Sequence, residues 1–208
     1  MKIYITRHSK TLWNEEKRLQ GRLDSPLTKE GIENAYALKE HLKSFQFDYI
    51  YSSPIYRAYH SASILFDDGI IKDDRLMEMN FGDFEGKYIK DLLKTKEYHD
   101  LWHNPGEFIR IQNGESYEDV IKRAESFIGD LKQLDDNADV LIVTHGMFFI
   151  VFLATMLGYA KQDFTKFNQN VVLGCSLTCV SYKNNQFQLE FYNDTSYLPY
   201  VKQEVFNK

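Results

Sequence analysis

Two arginines and two histidines in this sequence stand where apolar runs end, and their chemistry is that of phosphate binding and transfer. Arg7 and His8 follow the first apolar run, Arg57 lies shortly after a second, and His145 follows a third. Guanidinium groups bind phosphate oxygens in pairs, and a neutral imidazole nitrogen can attack phosphorus to form a phosphohistidine. A second, protonated imidazole would stabilise charge on the transferred group. These residues therefore predict an oxyanion site, most simply a phosphate site, that is capable of phosphoryl transfer.

Phosphoryl transfer also needs a proton donor for the leaving group, and Glu78 is the candidate. It lies in the apolar surround of 76–82. Burial there would raise the pKa of the carboxyl and let it protonate the leaving alkoxide. The same group could then act as a base on the hydrolytic water. An ordinary loop carboxylate is the alternative interpretation.

The elements that must position these residues alternate between strands and helices. Apolar periodicity predicts strands at 3–5, 47–51, 70–71, 140–143, 171–182 and 187–192. Helices are predicted at 29–45 with Thr28 as N-cap, at 54–65, 116–134 and 147–157, with helical potential at 10–22. Segment 74–114 is mixed, with loops around one or two short helices. The alternation indicates a mostly parallel sheet covered by helices on both faces.

In such a sheet, ligands bind just beyond the carboxyl ends of the strands. Arg7-His8, Arg57 and His145 each follow a different predicted strand, so the sheet would bring them to one edge. A lone histidine or arginine is more often a structural or surface residue. Their coincidence at three strand ends is what predicts a single pocket.

Charge and composition limit the classes of partner. The 208-residue chain carries 30 acidic and 25 basic side chains, for a net charge of −5. A chain of this length buries enough surface to fold as one domain, 1–208, without a disulfide or metal. The acidic balance disfavours nucleic acid and anionic membranes, which bind concentrated basic faces. An anion site must therefore be a local cluster.

Cysteine usage and hydropathy favour a cytoplasmic location. Cys175 and Cys179 lie four apart in a β-branched run, too far apart to bridge, so free thiols in a reducing compartment are expected. The charged opening has no signal-peptide core. The uncharged stretch 140–158 has the length of a membrane span, but its His145-Gly146 break favours a strand, turn and buried helix.

Several motifs resemble those of the histidine phosphatase superfamily, in its phosphoglycerate-mutase-like branch, and they occur in the same order along the chain. The opening Thr6-Arg7-His8-Ser9 resembles the Arg-His-Gly signature. The similarity continues through Arg18-Leu19-Gln20-Gly21, Asp24-Ser25-Pro26-Leu27-Thr28, Ser52-Ser53-Pro54 with Arg57-Ala58, 76–86, Gly114-Glu115-Ser116 and Thr144-His145-Gly146. The resemblance implies a three-layer α/β/α sandwich with a mostly parallel central sheet and a small helical cap insertion at about 87–114.

The resemblance also implies roles for individual residues. His8 is similar to the phosphorylated nucleophile and Glu78 to the proton donor, while Arg7, Arg57 and His145 are similar to the phosphate pocket. Asn14 resembles a residue that hydrogen-bonds the phosphate, and Thr11, Gln20, Gly21 and Gly146 resemble positions on the substrate side. The family implies no metal and no cofactor. The expected partner is a small phosphorylated metabolite, bound by a monomer or homodimer.

Two positions depart from the family pattern. Ser9 stands where the family usually has glycine, and Lys10 replaces an acidic or amide residue. If the position needs a positive φ, serine there would be strained by about 1 kcal/mol. If glycine only makes room, the hydroxymethyl group would narrow the pocket or add a hydrogen bond. Neither change removes a group that takes part in phosphoryl transfer.

Three functions are compatible with such a site. Cofactor-dependent mutases of this family are typically longer, with an insertion after the glutamate motif, whereas only about 28 residues separate Gly86 from Gly114. Water would therefore reach the phosphohistidine, and a phosphatase is favoured. A phosphoglycerate mutase is the alternative. A non-catalytic phospholigand-binding protein is the third, although a binder needs neither a nucleophile nor a proton donor.

Aromatic residues of the cap segment would shape specificity or simply pack the core; they are Tyr88, Tyr98, Trp102, His103 and Phe108. The same segment contains His99-Asp100-Leu101-Trp102-His103, which resembles a zinc-protease pattern. No third ligand is evident, and Asn104-Pro105-Gly106 would end the helix at once, so a zinc site is disfavoured.

Overall fold

The strands of this chain form one mixed sheet. A computed structural model describes residues 1–168 and 172–201. Within these residues the strands are β1 (Lys2–Arg7), β2 (Tyr49–Ser52), β3 (Ile70–Lys72), β4 (Asp139–Thr144), β5 (Leu177–Lys183) and β6 (Gln186–Asp194), in the spatial order β3-β2-β4-β1-β5-β6. Strands β1 to β4 are parallel to one another, whereas β5 runs antiparallel to both β1 and β6. The mostly parallel sheet is confirmed.

Helices connect the strands and cover the sheet. They are α1 (Leu12–Glu15), α2 (Lys29–Leu42), α3 (Tyr56–Leu65), α4 (Ile89–Leu92), α5 (Lys96–His103), α6 (Tyr117–Leu131), α7 (Gly146–Met156) and α8 (Thr165–Asn168). Short 3₁₀ turns lie at Asp74–Leu76, Gly82–Phe84 and Lys161–Phe164. As predicted, Thr28 caps α2 by accepting the N–H of Gly31. Ser116, predicted as the start of the helix 116–134, caps α6 by accepting the N–H of Asp119.

Two hydrophobic cores lie on opposite faces of the sheet, which makes the molecule three-layered. Along β1, Ile3 and Ile5 join the core beneath α6 and α7, whereas Tyr4 joins the core beneath α2 and α3. This follows from the alternation of side chains along a strand. Apolar residues of the cap segment, including Leu92 and Leu101, belong to the first core. The cap therefore packs continuously with the layer that carries α7.

Helix α7 explains the long apolar stretch of the sequence. Residues 140–144 belong to β4, and α7 begins directly after His145. Nearly every residue of α7 is buried, because the helix lies between the sheet, α6 and the cap side of the first core. Among the residues described, no helix combines the length and apolarity needed to cross a bilayer.

Some predicted boundaries are wrong for identifiable reasons. In 10–22 only α1 forms, because Lys17 adopts a φ of +56° and Arg18 then bridges to Tyr88. The predicted strand 171–182 begins only at Leu177, since Cys175 has a φ of +62° that interrupts extended backbone; position 171 lies outside the described residues. The turn at 184–185 has two asparagines at φ of +53° and +60°, as a tight hairpin requires.

Candidate active site

The two histidines meet where β1 and β4 end side by side. Arg7 of β1 pairs with Thr144 of β4, and the His8 N–H donates to the Thr144 carbonyl at 2.8 Å. The chain therefore places His8 and His145 next to each other, with ring centroids 5.2 Å apart. Both imidazoles are buried. The predicted convergence of the strand ends agrees with this geometry.

Hydrogen bonds fix the orientation and tautomer of His8. Its Nδ1 lies 2.7 Å from the Ser9 carbonyl oxygen, which can only accept, so Nδ1 carries the proton. The Nε of Arg57 donates to His8 Nε2 at 3.2 Å, which requires a lone pair on Nε2. Nε2 is therefore the nitrogen that is available as a nucleophile.

Both imidazoles are held neutral by their surroundings. Burial lowers the pKa of His8 well below its usual value, and the charges of Arg57 and Arg7 lower it further. Burial also lowers the pKa of His145 well below its usual value, and the charge of Arg57 lowers it further. A neutral imidazole is the form in which His8 can act as a nucleophile. In the ligand-free protein, the guanidiniums that gather phosphate also disfavour a second positive charge at His145. A protonated second imidazole during phosphoryl transfer therefore stays a prediction.

His145 lies beside His8 but is not among the residues that line the cavity described below. Its Nε2 lies 2.7 Å from the Ser53 hydroxyl oxygen. Its Nδ1 is buried and, among the described residues, has no hydrogen-bond partner. When the Ser53 hydroxyl donates to Nε2, the neutral ring carries its proton on Nδ1 and can donate it to an oxyanion. Ser53 was only part of a motif in the sequence, and nothing in the motif identifies this contact.

The guanidinium of Arg57 is held by hydrogen bonds from each of its nitrogens. Arg57 lies in the first turn of α3 with 1 % of its surface exposed. Its NH2 donates to the Gly21 carbonyl at 2.7 Å, and its NH1 to the Leu23 carbonyl at 2.9 Å and to Asp24 Oδ1 at 3.2 Å. Asp24 Oδ2 also accepts the backbone N–H of Arg57. Asp24 thus aligns both the helix and the guanidinium, a contact that the sequence did not single out.

Gly21 adopts a conformation that only glycine accepts easily. Its φ is +59°, and a Cβ there would meet Glu85 Oε1 at 2.0 Å. Glu85 in turn accepts the backbone N–H groups of Arg22 and Leu23. The loop that binds Arg57 therefore depends on the close approach of Glu85.

The carboxyl group of Glu78 lies against the N-terminus of α7, and the residue is 7 % exposed. Its Oε1 accepts the backbone N–H groups of Met79 and Phe148, both at 2.8 Å, and Oε2 accepts that of Met147 at 3.1 Å. Because a carboxyl offers about four lone-pair positions, one position on Oε2 is left for a proton. The carboxyl is thus buried and oriented, unlike that of an ordinary exposed loop residue.

The remaining predicted residues surround this centre. Asn14 Oδ1 accepts from the N–H and the hydroxyl of Thr11, which forms the capping box of α1. Gln20 Oε1 lies 3.1 Å from the Thr11 hydroxyl oxygen. Arg7 is buried, with NH1 donating to the Val172 carbonyl at 3.1 Å. Thr11 contacts Asn14 and Gln20, which line the cavity, but does not line it itself.

One cavity joins most of these residues. Its volume, taken as the space open to water-sized molecules, is about 40 Å³. Its predicted lining residues are Arg7, His8, Asn14, Gln20, Gly21, Arg57, Glu78 and Gly146. Lining residues that the sequence did not assign to the pocket are Arg18, Leu19, Phe81 and Met147. Trp102, one of the cap aromatics expected to shape specificity or pack the core, also lines the cavity. Charged and polar side chains and apolar side chains therefore share the lining of one cavity.

The other cap aromatics divide between core and surface. Tyr98 and Phe108 are buried in the first core, so core packing is the correct interpretation for them. Tyr88 is partly exposed and stacks with the Arg18 guanidinium, whose carbon lies 4.3 Å from the ring centroid. Asp100 of the zinc-protease-like pattern pairs with Lys96 and Asn104. Among the described residues, no group of three or more histidine, cysteine or acidic side chains could hold a metal ion.

Ser9 faces away from the cavity. It is fully buried, its φ is not in the left-handed region, and its hydroxyl donates to the Gly31 carbonyl of α2 at 2.6 Å. Its backbone N–H donates to the Ser61 hydroxyl at 2.9 Å. Of the two expectations for this position, strain is therefore wrong, and the added hydrogen bond is correct.

Comparison with known proteins finds similarity along nearly the whole chain. A profile of the histidine phosphatase superfamily (branch 1) matches residues 3–195. The probable phosphoglycerate mutase GpmB of Yersinia pestis (strain Pestoides F) is 30 % identical over 207 residues, which cover 95 % of each chain. The structure of Bacillus stearothermophilus YhfR is 30 % identical with a TM-score of 0.86, covering 95 % of this chain and 98 % of that one. Phosphoserine phosphatase from Entamoeba histolytica, in complex with 3-phosphoglyceric acid, is 26 % identical with a TM-score of 0.84 and the same coverage.

Proposed function

The chain belongs to the histidine phosphatase superfamily, branch 1, and from this premise we propose that it hydrolyses small phosphorylated metabolites through a phosphohistidine at His8. The observation that carries the proposal is the state of His8. Its neutral ring turns an unprotonated Nε2 toward Arg57, in the same cavity as Glu78. A protein that only bound phosphate would have no use for this arrangement.

In the first step, His8 Nε2 attacks phosphorus while the bond between phosphorus and the ester oxygen breaks. Arg7, Arg57 and the Nδ1–H of His145 hold the phosphoryl oxygens and stabilise their charge. Glu78, protonated at the open position of Oε2, gives its proton to the leaving oxygen, and the alcohol departs. The products are the alcohol and a phosphohistidine with Glu78 ionised.

In the second step, water replaces the alcohol in the cavity. The Glu78 carboxylate accepts a proton from the water as its oxygen attacks phosphorus and the bond to His8 breaks. Orthophosphate leaves, and both side chains return to their starting states. The positive charge that this transfer needs comes from guanidinium groups, so metal-independent catalysis is part of the proposal.

Hydrolysis is favoured over mutase activity by the size of the cap. Residues 87–114 contain only α4 and α5 and pack into the first core, and we take them as an insertion within one domain, 1–208. Such a cap leaves the cavity open to water. The name of the Yersinia relative supports a phosphoglycerate mutase as the second candidate. Cytoplasmic location belongs to the proposal on the strength of the free cysteines.

The test is hydrolysis of p-nitrophenyl phosphate in excess EDTA, with acid- and base-quenched samples assayed for protein-bound phosphate. We expect full activity in EDTA and a bound phosphate that survives base but not acid, as phosphohistidine does. His8→Ala should lose both, while His99→Ala on the exposed surface of α5 should keep both. Activity abolished by EDTA, or retained by His8→Ala, would contradict the proposal.

A further inference from the structure

A cluster of charged side chains lies behind the loop that carries Glu78. It consists of Glu115, just before α6, Arg123 within α6, and Arg22 in the loop after α1. Arg22 NH2 and Arg123 Nε each lie 3.1 Å from Glu115 Oε1. The side chains of Glu115 and Arg123 are only 18 % and 13 % exposed. Below we call these three residues the Glu115 cluster.

The Glu115 cluster binds the backbone on both sides of Glu78. Its hydrogen bonds run from Arg123 NH1 to the carbonyls of Arg75 at 2.7 Å and Met77 at 2.6 Å, from Arg22 Nε to the carbonyl of Glu78 at 3.1 Å, and from the Asn80 N–H to Glu115 Oε2 at 2.8 Å. The Glu115 N–H also donates to the Asn80 carbonyl at 2.8 Å. Hydrogen bonds in which one partner is charged are stronger than those between two neutral groups.

This segment needs such bonds because it has no regular structure of its own. Glu78 lies between the 3₁₀ turns Asp74–Leu76 and Gly82–Phe84, outside any helix or strand ladder. On its other side, the Glu78 carboxyl is held by the N–H groups at the start of α7. Two separate sets of bonds therefore fix Glu78, one at the carboxyl and one at the backbone.

We infer that Glu115 is a positioning residue for proton transfer, which acts through the Glu115 cluster to hold Glu78 at the leaving oxygen. This inference rests on the proposed function, in which Glu78 is the proton donor. Glu115 does not line the cavity and touches no reacting atom. Its effect comes from geometry, since proton transfer is sensitive to small displacements of the donor.

Leaving groups distinguish positioning from a general structural role. An alkoxide leaves poorly without a proton, whereas p-nitrophenolate leaves without one. A displaced Glu78 should therefore slow an alkyl phosphate much more than p-nitrophenyl phosphate. A variant that is merely less folded would slow both by the same factor, so the ratio of the two kcat/KM values is independent of the folded fraction. Since kcat/KM covers only the steps through phosphohistidine formation, hydrolysis of the intermediate does not enter.

The experiment measures kcat/KM for 3-phosphoglycerate and for p-nitrophenyl phosphate in the wild type and three variants. Glu115→Gln keeps the shape of the side chain but places an amide against the arginines, and should lower the ratio about 10-fold to 100-fold. Glu78→Gln removes the proton donor itself and should lower the ratio about 10²-fold to 10⁴-fold, which sets the scale for a complete loss. Glu118→Gln, in the first turn of α6 and paired with Lys161 at the surface, should leave the ratio unchanged.

The outcomes separate this inference from the proposed function. If Glu78→Gln lowers the ratio and Glu115→Gln does not, positioning by Glu115 is wrong and the donor role of Glu78 stands. If Glu78→Gln leaves the ratio unchanged, the donor role is wrong and the inference falls with it. Should Glu115→Gln fail to fold, Arg22→Gln replaces it, because Arg22 is the most exposed member of the cluster at 32 %. Equal losses on both substrates in that variant would overturn the inference.

Discussion

The Nε atom of Arg57 lies 3.2 Å from the Nε2 atom of His8 and donates a hydrogen bond to it. The other nitrogens of the same guanidinium are bound to carbonyls of the 21–24 loop and to Asp24. The group is therefore fixed before a substrate arrives, with one donor directed at the proposed nucleophile. A phosphoryl group that approached Nε2 would meet the same donor, at the point where its charge develops.

Arg57→Ala should accordingly cost about 3 kcal/mol of transition-state stabilisation, as expected for one lost oxyanion donor. Arg57→Lys should not restore the rate, because an ammonium cannot reach the loop carbonyls, Asp24 and His8 at once. The measurement is kcat/KM for p-nitrophenyl phosphate, with Arg110→Ala on the exposed surface as the control. A near-normal rate in either Arg57 variant would remove this residue from the site.

Replacing Gly21 tests the loop that holds Arg57, and Gly69 offers a matched control. Both glycines have a positive φ, but a Cβ at Gly69 meets nothing within 4 Å, whereas at Gly21 it meets Glu85 Oε1 at 2.0 Å. Gly69→Ala should lower the free energy of unfolding by about 1 kcal/mol through backbone strain. Gly21→Ala should lower it by roughly 1 to 3 kcal/mol more, since Glu85 must move.

The two Gly→Ala variants should also differ in activity. Displacing Glu85 releases the backbone of Arg22 and Leu23, and the carbonyl of Leu23 binds Arg57. Urea unfolding and phosphatase assays on both variants check these expectations. Equal stability and activity in the two would mean that the approach of Glu85 to Gly21 has no energetic consequence.

Stability should depend on pH through His8 and His145. Histidine in the unfolded chain has a pKa of about 6.5, while burial and the nearby arginines lower the pKa of both imidazoles well below that value in the folded chain. Below pH 6.5 the unfolded chain therefore binds more protons. The contribution of the two neutral histidines to stability is therefore complete above pH 6.5. As the pH drops below this value, the free energy of unfolding falls by about 1.4 kcal/mol per pH unit for each histidine.

His8→Gln isolates one of these two contributions. Between pH 6 and 5, the slope of the free energy of unfolding against pH should be smaller than in the wild type by about 1.4 kcal/mol per unit. Chemical denaturation at several pH values measures the slope. An unchanged slope in the variant would mean that His8 titrates in the folded chain as it does in the unfolded chain.

Ser9→Ala tests the departure from the family signature. The hydroxyl donates to the Gly31 carbonyl inside the protein, so its loss should lower the free energy of unfolding by about 1 kcal/mol. Activity should change little, because the group faces α2 and not the cavity. Ser63→Ala, which removes an exposed hydroxyl, should alter stability by less than about 0.5 kcal/mol. A large loss of kcat/KM in Ser9→Ala would place the hydroxyl in the reaction after all.

The choice between phosphatase and mutase can be made with 3-phosphoglycerate and 2,3-bisphosphoglycerate together. An open cap predicts orthophosphate as the main product, because water competes freely for the phosphohistidine. Phosphorus NMR of the reaction mixture distinguishes orthophosphate from 2-phosphoglycerate. Rapid isomerisation with little orthophosphate would favour the mutase and overturn our preference.

The order and type of most secondary-structure elements could be predicted from the amino-acid pattern. Periodic apolar residues predicted the strands and main helices, since a two-residue or 3.6-residue repeat decides which face an element buries. Cap residues such as Thr28 and Ser116 marked helix starts through a local hydrogen bond. The parallel order then brought His8 and His145 together, because the carboxyl ends of parallel strands lie at the same edge of the sheet. This edge is also where ligands bind in such sheets.

The hydrogen bonds and protonation states within the site, in contrast, follow from packing between distant segments. The lone pair on His8 Nε2, the neutral state of His145 and the bond from Asp24 to Arg57 all depend on groups far apart in the chain. The same holds for Glu115, which binds the Glu78 loop across more than one element. No local pattern encodes such contacts, because hydrogen-bond geometry and desolvation arise only when distant segments pack against each other.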